Sequence, residues 1–351
     1  MIRIRARAPG RRALALGLPT VWGAAALACK LTCPLARQDR PGARIVSGAV
    51  LFAVGAGLVL HARRVLVREP RRTREVAAAA QGALPRPLPP RVGGLRVAAA
   101  QLSADRGAGV GGDLYEVIAT EHGVRAVMGD VRGHGIGAVG TVAAVLGSFR
   151  EAVHDEPDLG RVLRRLDRGL ARHLRERART AGADSPVAEE FVTVLLLEIG
   201  RGGEVRALNC GHPWPYRLLD GRVEPLSCAE PLPPLGPFPL PPELPDVRCR
   251  TLSPGETLFL HTDGAEEARD ARGRFFPLAA VLAEALSAGA GTPQALLAAV
   301  FTRLMKHTAG QPADDVALLV LHDERRPRPA APGAGGSTRA TTMRSLPTKH
   351  L

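Results

Sequence analysis

Apolar positions along the chain fall into three regimes. Near the start, residues 13–29 (ALALGLPTVWGAAALAC) and 45–60 (IVSGAVLFAVGAGLVL) run without a charged residue. Their lengths lie at or just under the roughly 17–25 residues that cross a bilayer as a helix. From 95 to 321 short apolar runs alternate with amphipathic stretches. This predicts strands at 95–101, 114–119, 124–129, 191–199, 204–209, 214–219, 247–251 and 257–261, and an apolar run at 317–321. Helices are predicted at 137–153, 158–179, 277–288 and 293–307. The second of these carries Leu159, Val162, Leu163, Leu166, Leu170 and Leu174 at helical spacing. From Asp323 onward the periodicity stops, and the tail is predicted to be disordered.

Charge placement refines the first regime. Residues 1–12 are cationic, Lys30, Arg37, Arg40 and Arg44 lie between the two runs, and Arg63, Arg64, Arg68, Arg71, Arg72 and Arg74 follow them. The heavier outer flanks predict a two-pass membrane hairpin with both ends cytoplasmic. A signal peptide fits less well, because a second run follows and no A-x-A-like site is present. A pair of buried core helices is the other reading. The loop between the runs is about fifteen residues, too short for a sensory domain. The chain therefore divides into a cationic N-terminus with hairpin (1–68), a helical linker (69–92), a large domain (93–322) and a basic tail (323–351). In the linker the Ala-rich stretch 69–84 reads as a helix able to pair between protomers in a homodimer. PRPLPPRVGG (85–94) then breaks it. The Pro-rich segment 230–246 excludes helix and central strand, and reads as a flap beside a site or as an inert surface loop.

Composition excludes some functions. The net charge is +13, yet aromatics are 3% of residues, and no basic patch is interleaved with stacking rings. Nucleic acid is not the expected partner; the cations flank apolar runs, as at a membrane surface. Cys29, Cys33, Cys210, Cys228 and Cys249 form no metal-spaced set, and reduced thiols are expected. The eight arginines of 158–179 make a solvated face or a docking surface.

Carboxylates carry the candidate chemistry. Asp113 follows a glycine pair in VGGDLYEV (110–117), and Asp130 lies seventeen residues on, in VMGDVRGHGIGA (127–138). Asp263 follows an apolar strand in LFLHTDGAEEA (258–268), and Asp314 and Asp315 precede another in QPADDVALLVL (311–321). Alone, each reads as a turn. Together, acids at strand ends suit hard divalent cations, which take oxygen ligands and retain waters. Two such ions sharing a bridging carboxylate hold a hydroxide in line with a phosphoryl group. Glycines around Asp130 would let backbone carbonyls and phosphate approach.

The motifs GGDLYE, GDVRGHG, NCGHPWPYRL, HTDGAEE and DDVALLVL, in that order over residues 93–322, resemble the metal-dependent PPM protein phosphatases, in their SpoIIE-like bacterial branch. The resemblance implies an α+β fold, a β-sandwich flanked by helices, and two divalent cations, Mn²⁺ or Mg²⁺. It implies hydrolysis of phosphoserine or phosphothreonine by metal-bound water without a phosphoenzyme. Carried over by motif, Asp113 and Asp130 with the Val131 carbonyl would hold one ion. Asp130, Asp263 and Asp314 would hold the other, with Asp130 as the bridge. Gly264 matches the family's Asp-Gly pair, and Asp315 is an auxiliary acid. Glu116 stands where a second Asp is common and could act as a supporting acid. His134 and His212 occupy positions that shape the site, a general-acid role being the alternative. Cys210, His261 and Ala317 depart from the usual Ala, Tyr and Thr. The branch implies a phosphorylated anti-sigma-factor antagonist as substrate. A catalytically weak module that binds such a partner is the alternative, against which the complete aspartate set counts. A nucleotide cyclase, suggested by GGD alone, lacks the continuation and the phosphate-cradling lysine.

Overall fold

Alternation along each strand decides which layer its side chains join. In the computed structural model, residues 54–57, 87–103, 111–132, 136–180, 190–244 and 247–325 are described. Among the described residues eleven strands form two antiparallel sheets. The first sheet has the order β1 (Arg91–Val92), β2 (Leu95–Leu102), β11 (Val316–Asp323), β10 (Thr257–His261), β7 (Tyr216–Leu219) and β8 (Arg222–Pro225). The second runs β3 (Asp113–Thr120), β4 (Gly123–Val131), β5 (Val192–Ile199), β6 (Val205–Cys210) and β9 (Val247–Arg248). Val97, Met128, Leu195, Leu197, Leu258, Leu260, Leu319 and Leu321 fill the space between the sheets.

Helices cover both outer faces. Against the second sheet lie α1 (Ile136–Asp155) and α2 (Leu159–Thr180), joined through Val145, Leu146, Phe149, Leu163, Leu166 and Leu170 to Leu114, Val127, Val194 and Leu196. The first sheet is covered by α4 (Leu278–Ser287) and α5 (Pro293–His307), which bury Phe259, Leu318 and Val320. The one-turn α3 (Asp263–Glu266) leaves β10 directly. The result is the expected helix–sheet–sheet–helix order of a PPM-like α+β fold. Each fully buried Leu or Val contributes about 1.5–3 kcal/mol.

Caps and turns set the boundaries. Asp158 starts α2, its Oδ1 accepting from the Arg161 N–H at 2.8 Å. The β3–β4 turn ends at Gly123, whose φ of +123° and approach to the Ile199 carbonyl exclude a side chain. At the far end of α1 the buried Arg125 guanidinium donates to the carbonyls of Val153 (2.9 Å), Glu156 (2.6 Å) and Pro157 (3.0 Å), and to Glu198 Oε2 at 2.7 and 2.9 Å. One side chain thus satisfies a carbonyl of the last helical turn and two just beyond it, and ties that helix end to β4.

Four differences from the sequence reading concern short elements. β1, β8 and α3 were not expected, and the strand expected over 247–251 is confined to 247–248. The Pro-rich segment is neither a free flap nor inert. Leu235 is buried and exchanges hydrogen bonds with Val192 at 2.9 and 3.0 Å, the Leu232 N–H reaches the Asn209 carbonyl at 2.8 Å, and Leu240 and Leu244 pack on the α1–α2 core. It is a strap, extended because proline allows little else. The expected membrane runs 13–29 and 45–60, the linker helix 69–84 and the tail beyond 325 lie outside the described residues, apart from 54–57, which are helical. Among the described residues no helix is long and apolar enough to cross a membrane.

Candidate metal centre

The β3–β4 hairpin pairs Asp113 directly with Asp130. Val131 N–H donates to the Gly112 carbonyl at 3.1 Å, so the next pair, Asp113–Asp130, is of the non-hydrogen-bonded class, with Cα atoms about 4.5 Å apart. Both side chains face the other sheet, because Met128 and Val117, in phase with them, belong to the inter-sheet core. Like charges opposed across strands repel.

The facing sheet brings the other acids. Asp263 opens α3 at the end of β10, and Asp314 and Asp315 precede β11, the strand paired with β10. Thr262 Oγ1 donates to Asp113 Oδ2 at 3.1 Å and accepts from the Ala317 N–H at 2.9 Å, tying β3 to the first sheet. Asp315 Oδ2 accepts from the Gly112 N–H at 2.9 Å, a second tie, and Asp314 Oδ1 accepts from the Asp315 N–H at 2.8 Å. Gly264 must be glycine here: a Cβ would lie 1.9 Å from the Asp315 carbonyl oxygen.

Burial and mutual repulsion act together on these groups. Burial first, then Asp263, Asp314 and Asp315, push the Asp130 carboxyl up to about 7. Asp113, buried beside Asp130 and Asp315, is raised well above the ordinary carboxylate range despite the Thr262 hydrogen bond. Asp263 is raised by burial, Asp314 and Glu267. Asp130 is the member that both sheets share.

Among the described residues no three His, Cys, Asp or Glu side chains form a ready-made metal shell. The donor chemistry nevertheless fits a hard divalent cation. Carboxylates from both sheets face one another, and the Asp130 proton is held up to about 7. Mg²⁺ in particular keeps several waters and takes only one or two carboxylates, so an open spacing suits it. Asp113, Asp130, Asp263 and Asp314 could hold such ions.

The remaining candidates separate. His134 lies outside the described residues. Glu116 is not brought to the centre. It projects toward the helices, where Arg150 Nε donates to both its oxygens at 2.8 and 2.9 Å, because its position in β3 is out of phase with Asp113. His212 lies behind Asp130. Its Nδ1 is 3.0 Å from Thr193 Oγ1, which accepts from the Asp130 N–H at 3.2 Å. Asn209 clamps His212, donating to its carbonyl at 2.7 Å and accepting from its N–H at 2.8 Å. Burial, and then His261, push the His212 ring down to about 3, so it stays neutral, which suits a shaping role and not proton donation.

Three contributors escaped the sequence reading: Thr193, Thr262 and Asn209. Thr193 is one β-branched residue in an apolar strand, and only the β4–β5 register sets it beside Asp130. Thr262 and Asn209 stood inside quoted motifs, where a polar residue next to the Asp or His was the available signal. Trp214 packs on the inter-sheet core and Tyr216 on the α4–α5 side, as strand packing requires.

Solved structures share this architecture. A structure from Mycobacterium tuberculosis comprising RsbU and RsbW domains aligns with a TM-score of 0.53 at 25% identity, over 67% of this chain and 62% of that one. The SiaA PP2C domain of Pseudomonas aeruginosa aligns with 0.56 at 19% identity, over 74% and 99%. The Bacillus subtilis SpoIIE phosphatase domain with a fragment of its regulatory domain aligns with 0.50 at 16% identity, over 65% and 63%. This chain thus spans less than two thirds of the first and third of these. None of the curated proteins compared with the chain matches it. The family model of stage II sporulation protein E matches residues 120–323, more than half of the chain. The aspartates on the two sheets therefore belong to a member of the SpoIIE family, a PPM-type metal-dependent phosphoprotein phosphatase.

Proposed function

We propose that this chain is a membrane-tethered serine/threonine phosphatase, its catalytic domain cytoplasmic, that acts on a small phosphorylated regulatory protein of the anti-sigma-factor-antagonist type. The observation that carries the reading is Asp130, paired with Asp113 across the hairpin and repelled by Asp263, Asp314 and Asp315 from the other sheet. Two Mn²⁺ or Mg²⁺ ions would supply the activated water and neutralise the phosphoryl oxygens. Asp113, Asp130 and the Val131 carbonyl would hold one, and Asp130, Asp263 and Asp314 the other. Thr262 and Asp315 fix the two sheets relative to each other, and Thr193 with His212 and Asn209 holds the backbone of Asp130. The M. tuberculosis relative contains RsbU and RsbW domains, which supports a regulatory-protein substrate. The uncharged runs 13–29 and 45–60 support the tether.

The test uses the purified full chain, a phosphoserine peptide and a small aryl phosphate. Turnover should require Mn²⁺, stop in EDTA, and fall at least about 10²-fold in Asp130→Asn. Calorimetry should show Mn²⁺ binding in the parent and its loss in the variant. A folded parent that binds no Mn²⁺, or a variant that keeps its activity, would remove Asp130 from the centre.

A further inference from the structure

Arg161, Arg165, Arg168, Arg172, Arg175 and Arg179 recur every three or four residues along α2. They line one face over about 27 Å at 1.5 Å per residue, while Val162, Leu163, Leu166 and Leu170 occupy the buried face. The two ends of this row differ. Arg161 is 3.4 Å from Asp158, and Arg165 is 3.5–3.9 Å from Glu151, Asp155 and Glu156. Beyond them Arg168, Arg172, Arg175 and Arg179 are exposed, and among the described residues none has a carboxylate within salt-bridge distance. Asp167 and Glu176 are the acids of that half, and Arg175 Nε donates to the Ala171 carbonyl of its own helix at 3.0 Å. Compensation of the helix dipole accounts for cations in the last turn, but not for Arg168 and Arg172 in mid-helix.

This exposed half, free of close ion pairs among the described residues, lies at the metal end of the molecule. Next to it Arg177 Nη1 donates to Glu190 Oε1 at 2.7 Å and to Thr141 Oγ1 at 3.1 Å. Thr141 is in the second turn of α1, the helix that begins at Ile136, shortly after Asp130. Glu190 precedes Thr193, the cross-strand partner of Asp130, by three residues, about 10 Å of extended chain.

We infer that this arginine row is a docking track for an acidic face of the phosphoprotein substrate, delivering its phosphoryl group to the metal end. The inference rests on the phosphatase reading above and adds the charge class of the substrate. Guanidinium forks pair bidentately with carboxylates, and a row of them steers an oppositely charged partner before contact.

The full chain is compared with Arg168→Gln/Arg172→Gln/Arg175→Gln/Arg179→Gln on three probes: a phosphoserine peptide flanked by Asp and Glu, the same peptide with Asn and Gln, and a small aryl phosphate. The parent should prefer the acidic peptide by roughly tenfold in kcat/KM, mostly through KM. The preference should collapse in the variant, and in about 0.5 M salt, where the screening length falls to roughly 4 Å. Aryl phosphate turnover should be equal in both proteins. Equal kcat/KM on the two peptides in the parent, with the ester still turned over, overturns the track and leaves the phosphatase reading standing. A folded parent that turns over none of the three probes at saturating Mn²⁺ takes both down. Peptide preference unchanged in the variant, while binding to phosphatidylserine vesicles is lost, assigns the row to a lipid surface and overturns the inference.

Discussion

Near neutral pH Asp130 is divided between its acid and its anion. Its carboxyl moves from 3.8 to about 7 because it is buried and because Asp263, Asp314 and Asp315 face it. The native state holds this proton more tightly than the unfolded chain does. Its contribution therefore favours the fold below about pH 4 and is lost as pH rises to about 7. In EDTA the melting temperature should fall across that interval. Asp130→Asn should flatten the fall and melt higher than the parent at pH 8, by about 2 kcal/mol or roughly 4–8 °C. Protons and cations compete for the same oxygens, so Mn²⁺ affinity measured by calorimetry should weaken below pH 7. A parent whose melting temperature is flat from pH 4 to 8 would show that the carboxylates do not repel as packed. The aspartates were legible in the sequence because each stands beside a glycine or at a strand end. Thr193 was not, since nothing in FVTVLLLEI separates a threonine that holds Asp130 from one that merely packs.

At the scale of elements, periodicity does most of the work. The leucine spacing of α2 and the apolar runs of β3, β4 and β11 are strong enough that each boundary found lies within two residues of expectation. Short elements escape because two to four residues carry no period. β8 had a local signal all the same: Asp220 and Gly221, with φ of 50° and 75°, form the tight turn that folds it back on β7. Glu116 shows the limit of motif reasoning, since a one-residue phase difference along β3 turns it to the helices and Arg150. Arg125 was silent for the same reason, one cation in an apolar strand. Replacing it with Ala leaves Glu198 and three carbonyls buried without their donor, and should cost about 3–5 kcal/mol in urea unfolding. Arg125→Ala/Glu198→Ala should cost less than the sum of the single changes. Strict additivity would mean that the pair does not act as a unit.

At the scale of the whole molecule, the acids are divided between the sheets: Asp113 and Asp130 on one, Asp263, Asp314 and Asp315 on the other. A cation shared among them would fasten the sandwich. Mn²⁺ at about a hundred times its dissociation constant should stabilise the fold by about 2.7 kcal/mol, seen as a higher melting temperature that Asp130→Asn does not show. Equal shifts in parent and variant would place the ion elsewhere. This division could not be read from the sequence, because the spacing of the motifs does not say which strands pair.

Strand β11 is made after every other strand of the domain, yet it lies in the interior of its sheet, between β2 and β10. Until residues 316–323 have been synthesised, those two strands have open edges toward each other, and Asp314 and Asp315 have no anchored strand behind them. A ribosome-bound chain therefore carries an exposed, apolar, unpaired slot that invites pairing with other chains. The first sheet closes only when β11 fills that slot, so until then the domain depends on whatever shields those open edges.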